Sequence, residues 1–295
     1  MIPNELVNRL QYIEIYTRKA ARHHWVADYR SPLRGRGFDF DQHKPYQHGD
    51  DYRQIDWNAT ARMPQPYIKK AYEEKEMNAV ILADLSRSME FATADQSKRQ
   101  LLLEVTATLA FSATNDDMKV GLLGFTDEIE VELPSKKGLA QVWKILETLW
   151  DVRPSSRGTN LLRPLDYLNT RLQTASLLFC ISDFIAQESA LNSHSLQRLT
   201  RRHDFIPVIL DDELEEALPR RAKGYLRLRD TERAGEMLFR LSDRTRGQYR
   251  SLLRERKIAL QRSLYRLNLD HLFLRTGRPF LDPLIGYFFT RRKSR

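Results

Sequence analysis

From residue 78 onward, short and wholly apolar runs alternate with longer segments of helical periodicity. Ala79-Val80-Ile81-Leu82-Ala83 runs into Asp84. Val120 to Phe125 follows, then Leu177 to Ile181 leading through Ser182 into Asp183, then Phe205 to Leu210. Runs of this length without polar alternation read as strands buried on both faces. Residues 97–114, 140–150, 161–172 and 189–202 read as helices. The first of these is expected to be amphipathic, with Leu101, Val105, Thr108, Leu109 and Ser112 on one side. Ile129 to Leu133 alternates and predicts a hairpin or edge strand. Pro207 lacks an N–H and predicts an edge or irregular position for its own strand. The alternation predicts an α/β fold, a doubly wound and mostly parallel sheet with helices on both faces. Such sheets bind ligands outside the carboxyl ends of their strands, where Asp84 and Asp183 both stand.

Asp84-x-Ser86-x-Ser88 leaves the first of these strands. Alternate residues of a loop can turn toward one point, which here aims a carboxylate and two hydroxyls at the strand end. All are hard oxygen donors of the kind that suits Mg²⁺ or Mn²⁺. Mg²⁺ keeps several waters, so a site with few protein ligands leaves positions for an incoming group. Asp-x-Ser-x-Ser alone is a weak signal, because Asp and Ser favour turns for local reasons.

Asp84-Leu85-Ser86-Arg87-Ser88-Met89 resembles the metal-ion-dependent adhesion site of von Willebrand factor A domains. That motif also uses a distant Thr and a distant Asp. Gly158-Thr159-Asn160-Leu161 is similar to the Thr segment, and Ile181-Ser182-Asp183 to the Asp segment. The resemblance implies a metal held by Asp84, Ser86, Ser88 and Thr159, with Asp183 acting directly or through water. The expected ion is Mg²⁺, with Mn²⁺ or Ca²⁺ as alternatives.

A second likeness lies upstream. The segment from Tyr46 to Arg62, containing Gly49-Asp50-Asp51-Tyr52-Arg53-Gln54-Ile55-Asp56-Trp57, resembles the signature of the family called domain of unknown function 58. That family carries the segment just before a von Willebrand A core, as here. Lys44 stands where the family is expected to have Arg, which keeps the charge and loses the bidentate fork. Asp50, Asp51, Arg53, Asp56 and Arg62 surround Ile55 and Trp57. They read as an ion-pair knot pinning the amino-terminal segment, or as a docking surface.

The expected organisation is an amino-terminal extension (1–77), a von Willebrand A-like domain (78–275) and a basic, apolar carboxyl-terminal tail (276–295). A helix near residues 4–21 would carry Leu6, Leu10, Ile13 and Tyr16 on one side. Residues 247–267 read as a long basic helix with Leu253, Leu260, Leu264 and Leu267 on its apolar face. Leu226 to Arg229 and His271 to Leu274 are further strand candidates. Residues 217–295 carry 21 Lys and Arg against 7 Asp and Glu, within a chain of net charge +9. Such a tail suits a solvated helix face, or a nucleic acid, anionic membrane or acidic protein surface.

The single cysteine, Cys180, excludes a disulfide framework. No signal peptide and no membrane-length apolar stretch is seen, so a cytoplasmic location is expected. The histidine spacings match no zinc site, and there is no dinucleotide loop or Walker lysine. The resemblance implies a non-enzymatic, metal-dependent adaptor or co-chaperone. Its partner would offer an acidic residue and be a MoxR-type AAA+ ATPase or a client of one. Nucleic-acid or anionic-surface binding through the basic region is the competing class, and a metal-dependent phosphohydrolase the third.

Overall fold

The computed structural model describes residues 2–20, 43–47, 52, 55, 57–61, 65–69, 78–90, 96–156, 158–185, 187–212, 225–229, 236–240 and 242–293. The chain divides into two compact units. One is Pro32–Glu76, and the other joins Met1–Ser31 to Met77–Arg295.

In the smaller unit, β1 (His43–Pro45) pairs antiparallel with β2 (Tyr67–Lys69). A single helical turn, α2 (Trp57–Thr60), lies between them in sequence, and the Thr60 hydroxyl accepts a 3.0 Å bond from the Tyr67 amide.

The larger unit begins with α1 (Asn4–Ala20) and then builds a six-stranded sheet. Its elements are β3 (Asn78–Asp84), α3 (Lys98–Asn115), β4 (Lys119–Phe125), β5 (Ile129–Lys136), α4 (Leu139–Asp151), α5 (Leu162–Arg171) and β6 (Ser176–Ser182). They continue with α6 (Glu188–Leu191), α7 (His194–Arg202), β7 (Asp204–Asp211), a separate hairpin of β8 (Tyr225–Arg229) and β9 (Glu236–Arg240), α8 (Asp243–Arg266), β10 (Leu272–Arg275) and α9 (Leu281–Lys293). The order across the sheet is β10-β7-β6-β3-β4-β5, parallel throughout except for β5, which runs antiparallel to β4 at the edge. The expected doubly wound α/β sheet is therefore present.

Each central strand sends alternate side chains to opposite faces. Ala79, Ile81 and Ala83 of β3 join a core with α3, α4 and α9, while Val80 and Leu82 join another with α5, α7 and Leu264 of α8. Helices cover both faces, which is why these strands show no polar alternation.

Several local expectations change. Helix α3 is closed at its start by a capping box, in which the Ser97 hydroxyl accepts from the Gln100 amide and the Gln100 side chain accepts from the Ser97 amide. It is not amphipathic, for Leu102, Leu103, Ala107, Ala110 and Phe111 are buried alongside Leu101, Val105 and Leu109. The cause is α1, whose Leu6, Leu10 and Ile13 cover the face that would otherwise meet water. The helix expected over 189–202 is two, because the first closes at its C-cap Asn192 and Ser193 N-caps the next, its hydroxyl accepting from the Leu196 amide. Strand β7 lies inside the sheet. Pro207 is tolerated there because β10 pairs with it only from Val208 onward.

The expected boundaries also shift. Residues 4–20 belong with the sheet and not with the Pro32–Glu76 unit. Of the tail expected over 276–295, the described residues 276–293 are not separate: Phe280, Leu284 and Phe288 are buried in the first core, and Arg291 pairs with Asp204 at 2.9 Å and with Asp270 at 2.5 Å. An apolar spacing of three and four residues is what a helix docked by one face requires.

Helix α1 is also held by charge. Arg9 Nε lies 2.9 Å from the Glu104 carboxylate, which is 1% exposed on α3 and also accepts from Gln96. Burial pushes the Glu104 pKa up from 4.5 to about 7, with Arg9 and Gln96 opposing the rise. The folded state then keeps a proton that the unfolded chain releases, so stability falls as pH rises from 4.5 to 7 and levels off above. Glu104→Gln is expected to remove this slope, changing the difference from wild type by about 2–3 kcal/mol across the window. Urea unfolding at a series of pH values measures it, and parallel wild-type and variant curves would refute it.

Candidate metal centre

Numbered by appearance within the sheet, the strand order is 3-2-1-4-5-6, so the chain reverses its direction of winding between β3 and β6. Loops leaving these two strands turn toward opposite faces and open a crevice at their carboxyl ends. Asp84 is the last residue of β3, and Asp183 directly follows β6.

The loop after Asp84 is tied down at once. The Leu85 amide donates to the Phe125 carbonyl at 2.7 Å, and the Ser86 amide to Asp84 Oδ1 at 2.9 Å. A short 3-10 turn follows (Arg87–Glu90) and buries Ser88 and Met89. Gly124 permits this path, since a methyl group there would lie 2.7 Å from both Leu85 Cδ1 and Val131 Cγ1. The result brings the Ser86 and Ser88 hydroxyl oxygens to 3.1 Å from each other, both buried beside a fully buried Asp84.

Asp183 sits across the crevice. Its Oδ1 accepts from the Ile185 amide at 3.0 Å. Between the two carboxylates stands Ser182, whose hydroxyl donates to Asp84 Oδ2 at 2.6 Å and accepts from the Phe184 amide at 3.0 Å. Phe184 takes a left-handed backbone (φ 52°), a costly conformation for a bulky residue that this bond helps to hold. Burial, and then the charge of Asp183, push the Asp84 pKa up from 3.8 to about 7, against hydrogen bonds from Ser182 and Ser86. Two carboxylates in so dry a place call for a cation.

One cation is built in. Lys98 opens α3, is fully buried, and places Nζ 2.9 Å from Asp183 Oδ2. Asp183, expected to reach a metal directly or through water, thus also gives one of its oxygens to an ammonium.

Thr159 lies on the loop before α5. The next residue's amide, from Asn160, donates to the Thr126 carbonyl just beyond β4. Gln187, on the loop after Asp183, donates to the Thr159 carbonyl and accepts from the Leu161 amide. These bonds hold the Thr159 segment at the same end of the sheet as Asp84 and Asp183.

Among the described residues, no group of three or more His, Cys, Asp or Glu is placed to hold a metal ion. A centre here depends on hydroxyls, and the donor chemistry fits a hard ion. Octahedral Mg²⁺ with bonds of about 2.05 Å sets neighbouring donors about 2.9 Å apart. The Ser86 and Ser88 oxygens lie close to that spacing. Asp84 Oδ1 accepts from the Ser86 amide and Oδ2 from the Ser182 hydroxyl, and each carboxylate oxygen carries a second lone pair of the kind a metal takes.

Three residues escaped the sequence reading. Lys98 looks like an ordinary first-turn lysine, and only α3 docking over the crevice makes it a counter-ion. Ser182 was visible one residue before Asp183, yet its role needs the fold. Gln187 carries no local signal. Of the proposed docking set, Asp50, Asp51, Arg53, Asp56 and Arg62 lie outside the described residues. Trp57 begins α2 and is 70% exposed.

Uncharacterized proteins of Mycobacterium bovis and Mycobacterium tuberculosis are 23% identical over 269 residues, covering 90% of this chain and 84% of theirs. Among solved structures, the chain is similar to BatB from Bacteroides thetaiotaomicron (TM-score 0.46, 13% identity, 74% of this chain and 100% of that one). It is also similar to a von Willebrand factor type A protein from Catenulispora acidiphila (TM-score 0.38, 11% identity, 74% of this chain and 42% of that one). The model of the family described as Protein of unknown function DUF58 matches residues 42–259, most of the chain, and the chain belongs to that family.

Proposed function

We propose that this protein is a non-enzymatic, metal-dependent protein-binding module. The observation that carries the reading is the convergence of the Asp84 carboxylate with two buried hydroxyls 3.1 Å apart at the reversal point of the sheet. Asp84, Ser86 and Ser88 would hold one divalent cation, Mg²⁺ by preference over Mn²⁺ or Ca²⁺, with Thr159 and Asp183 directly or through water. When bound, such an ion offers a coordination position to a hard oxygen donor from outside.

This chain's own residues favour an acidic visitor. With Lys98 retained beside Asp183, the two carboxylates and a divalent ion leave the site net positive. A carboxylate from a partner protein neutralises that excess. Burial strengthens the attraction, since few waters screen it. Ser86 stands where phosphoryl-transferring haloacid dehalogenase enzymes need a second carboxylate, and neither serine lies in a nucleophile elbow. The family likeness supports an adaptor or co-chaperone of the cytoplasm, working with a MoxR-type AAA+ ATPase or its client. Among the described residues no helix is long and apolar enough to cross a membrane.

Calorimetric titration with MgCl₂ and MnCl₂, on wild type and a folded Asp84→Ala variant, tests the metal. Saturable binding to wild type and none to the variant is expected. Affinity capture from source-cell lysate by wild type and by Asp84→Ala, each with Mg²⁺ and with EDTA, tests the partner. An ATPase retained only by wild type in Mg²⁺ supports the reading. The same partners in all four conditions would refute it.

A further inference from the structure

Immediately beside the candidate metal centre lies a cavity of about 470 Å³, and Asp183 is part of its wall. The size falls within the range of about 300–1,000 Å³ typical of ligand pockets. Its floor is apolar: Ile209 comes from β7, Phe273 from β10, and Leu253 and Leu260 from α8. Tyr249, Leu253, Arg256 and Leu260 follow each other at helical spacing, so one face of α8 supplies a whole side.

Four cations share that face, Arg250, Arg254, Arg256 and Lys257. Two carboxylates lie opposite, and each already has a lysine. Lys98 holds Asp183 at 2.9 Å, and Lys257 holds Asp211 at 2.6 Å. Among the described residues of the wall, the three arginines are therefore in excess of the carboxylates. Arg256 shows it most directly, for its Nη2 is buried and finds no hydrogen-bond partner among the described residues. A buried guanidinium donor without an acceptor is costly, and a carboxylate would satisfy it in the forked geometry that arginine favours. Burying apolar floor and exposed arginine in one cavity suits a ligand that is apolar at one point and anionic beside it.

We propose that this cavity is the specificity pocket for the acidic partner, taking a peptide segment in which a large apolar side chain is flanked by carboxylates. The inference rests on the proposed function, since the segment's leading carboxylate would meet the centre at Asp84 and the next residues would cross Asp183 into the cavity. The apolar side chain fills the floor against Leu253, Leu260 and Phe273. A second carboxylate of the segment pairs with Arg254 and Arg256. The metal centre alone accepts any acidic group, and the cavity decides which protein offers it.

The test is selection of a phage-displayed random peptide library on the full chain in Mg²⁺, with counter-selection on Arg250→Glu/Arg254→Glu. Peptides rich in Asp and Glu around an aromatic or aliphatic residue are expected. Selection of basic peptides, or no enrichment, overturns the proposal. A synthetic fluorescein-labelled peptide from the selection is then titrated by fluorescence polarisation. The double variant and Leu253→Asp, each checked for folding, should weaken binding by about 10- to 100-fold. Binding lost in the arginine variants but indifferent to EDTA and Asp84→Ala keeps the pocket and removes the metal reading. Binding lost with EDTA but unchanged in the arginine and Leu253 variants keeps the metal centre and overturns the pocket. Displacement of the peptide by single-stranded DNA at equal potency overturns it in favour of phosphate recognition.

Discussion

Lys98→Met is expected to cost about 3–5 kcal/mol of stability in EDTA, the typical loss when one partner of a buried ion pair is removed. Methionine keeps most of the lysine stem's volume, so the loss reports charge and not a hole. Lys98 is fully buried at the start of α3, and its ammonium lies 2.9 Å from Asp183. Without it, Asp183 faces Asp84 in a dry crevice with no positive group supplied by that helix. Adding Mg²⁺ should return at least about 1 kcal/mol, because an ion that binds only the folded state stabilises it by mass action. The variant should also bind Mg²⁺ more tightly than wild type, since one competing cation is gone. Urea unfolding with and without Mg²⁺ measures both effects. A loss under about 1 kcal/mol would show that Lys98 is not the counter-ion of this site. A loss with no recovery in Mg²⁺ would separate the ion pair from any metal.

Phe288→Ala is expected to cost a similar amount, about 3–5 kcal/mol, as for other buried aromatic truncations. Phe288 is 2% exposed, and its ring meets Phe179 of the central strand β6 edge-on, with centroids 6.1 Å apart. It therefore ties the last helix to the middle of the sheet. A free tail would predict a change within about 0.5 kcal/mol, the usual range for surface substitutions. Thermal or urea unfolding of the full chain distinguishes the two. Leu284→Ala should follow the same pattern on a smaller scale, for it is buried on the same face of α9.

The apolar runs at 79–83, 120–125, 177–181 and 205–210 were legible as buried strands because a strand covered on both faces must be apolar along its whole length. The carboxylates at two strand ends were legible for the same reason, since the run stops where the chain leaves the core. With the helical segments between them, this was enough for a doubly wound sheet and for the pairing of Asp84 with Asp183. The Thr159 segment came from the likeness to a known motif and not from any local pattern.

The tertiary structure decided what covers what. Helix α3 reads as one-sided in isolation, and it is buried all round only because α1, from far away in sequence, lies on its outer face. The terminal segment reads as a basic, apolar tail, and it is a docked helix because β10 and the first core leave a place for Phe280, Leu284 and Phe288. Lys98, Ser182 and Gln187 have no local signature, since their roles depend on distances to groups many residues away. Hydrophobic burial is written along the chain as a period, and sequence displays it directly. A counter-charge, a bridging hydroxyl or the wall of a cavity is a relation between distant residues, and only the folded chain places them within reach.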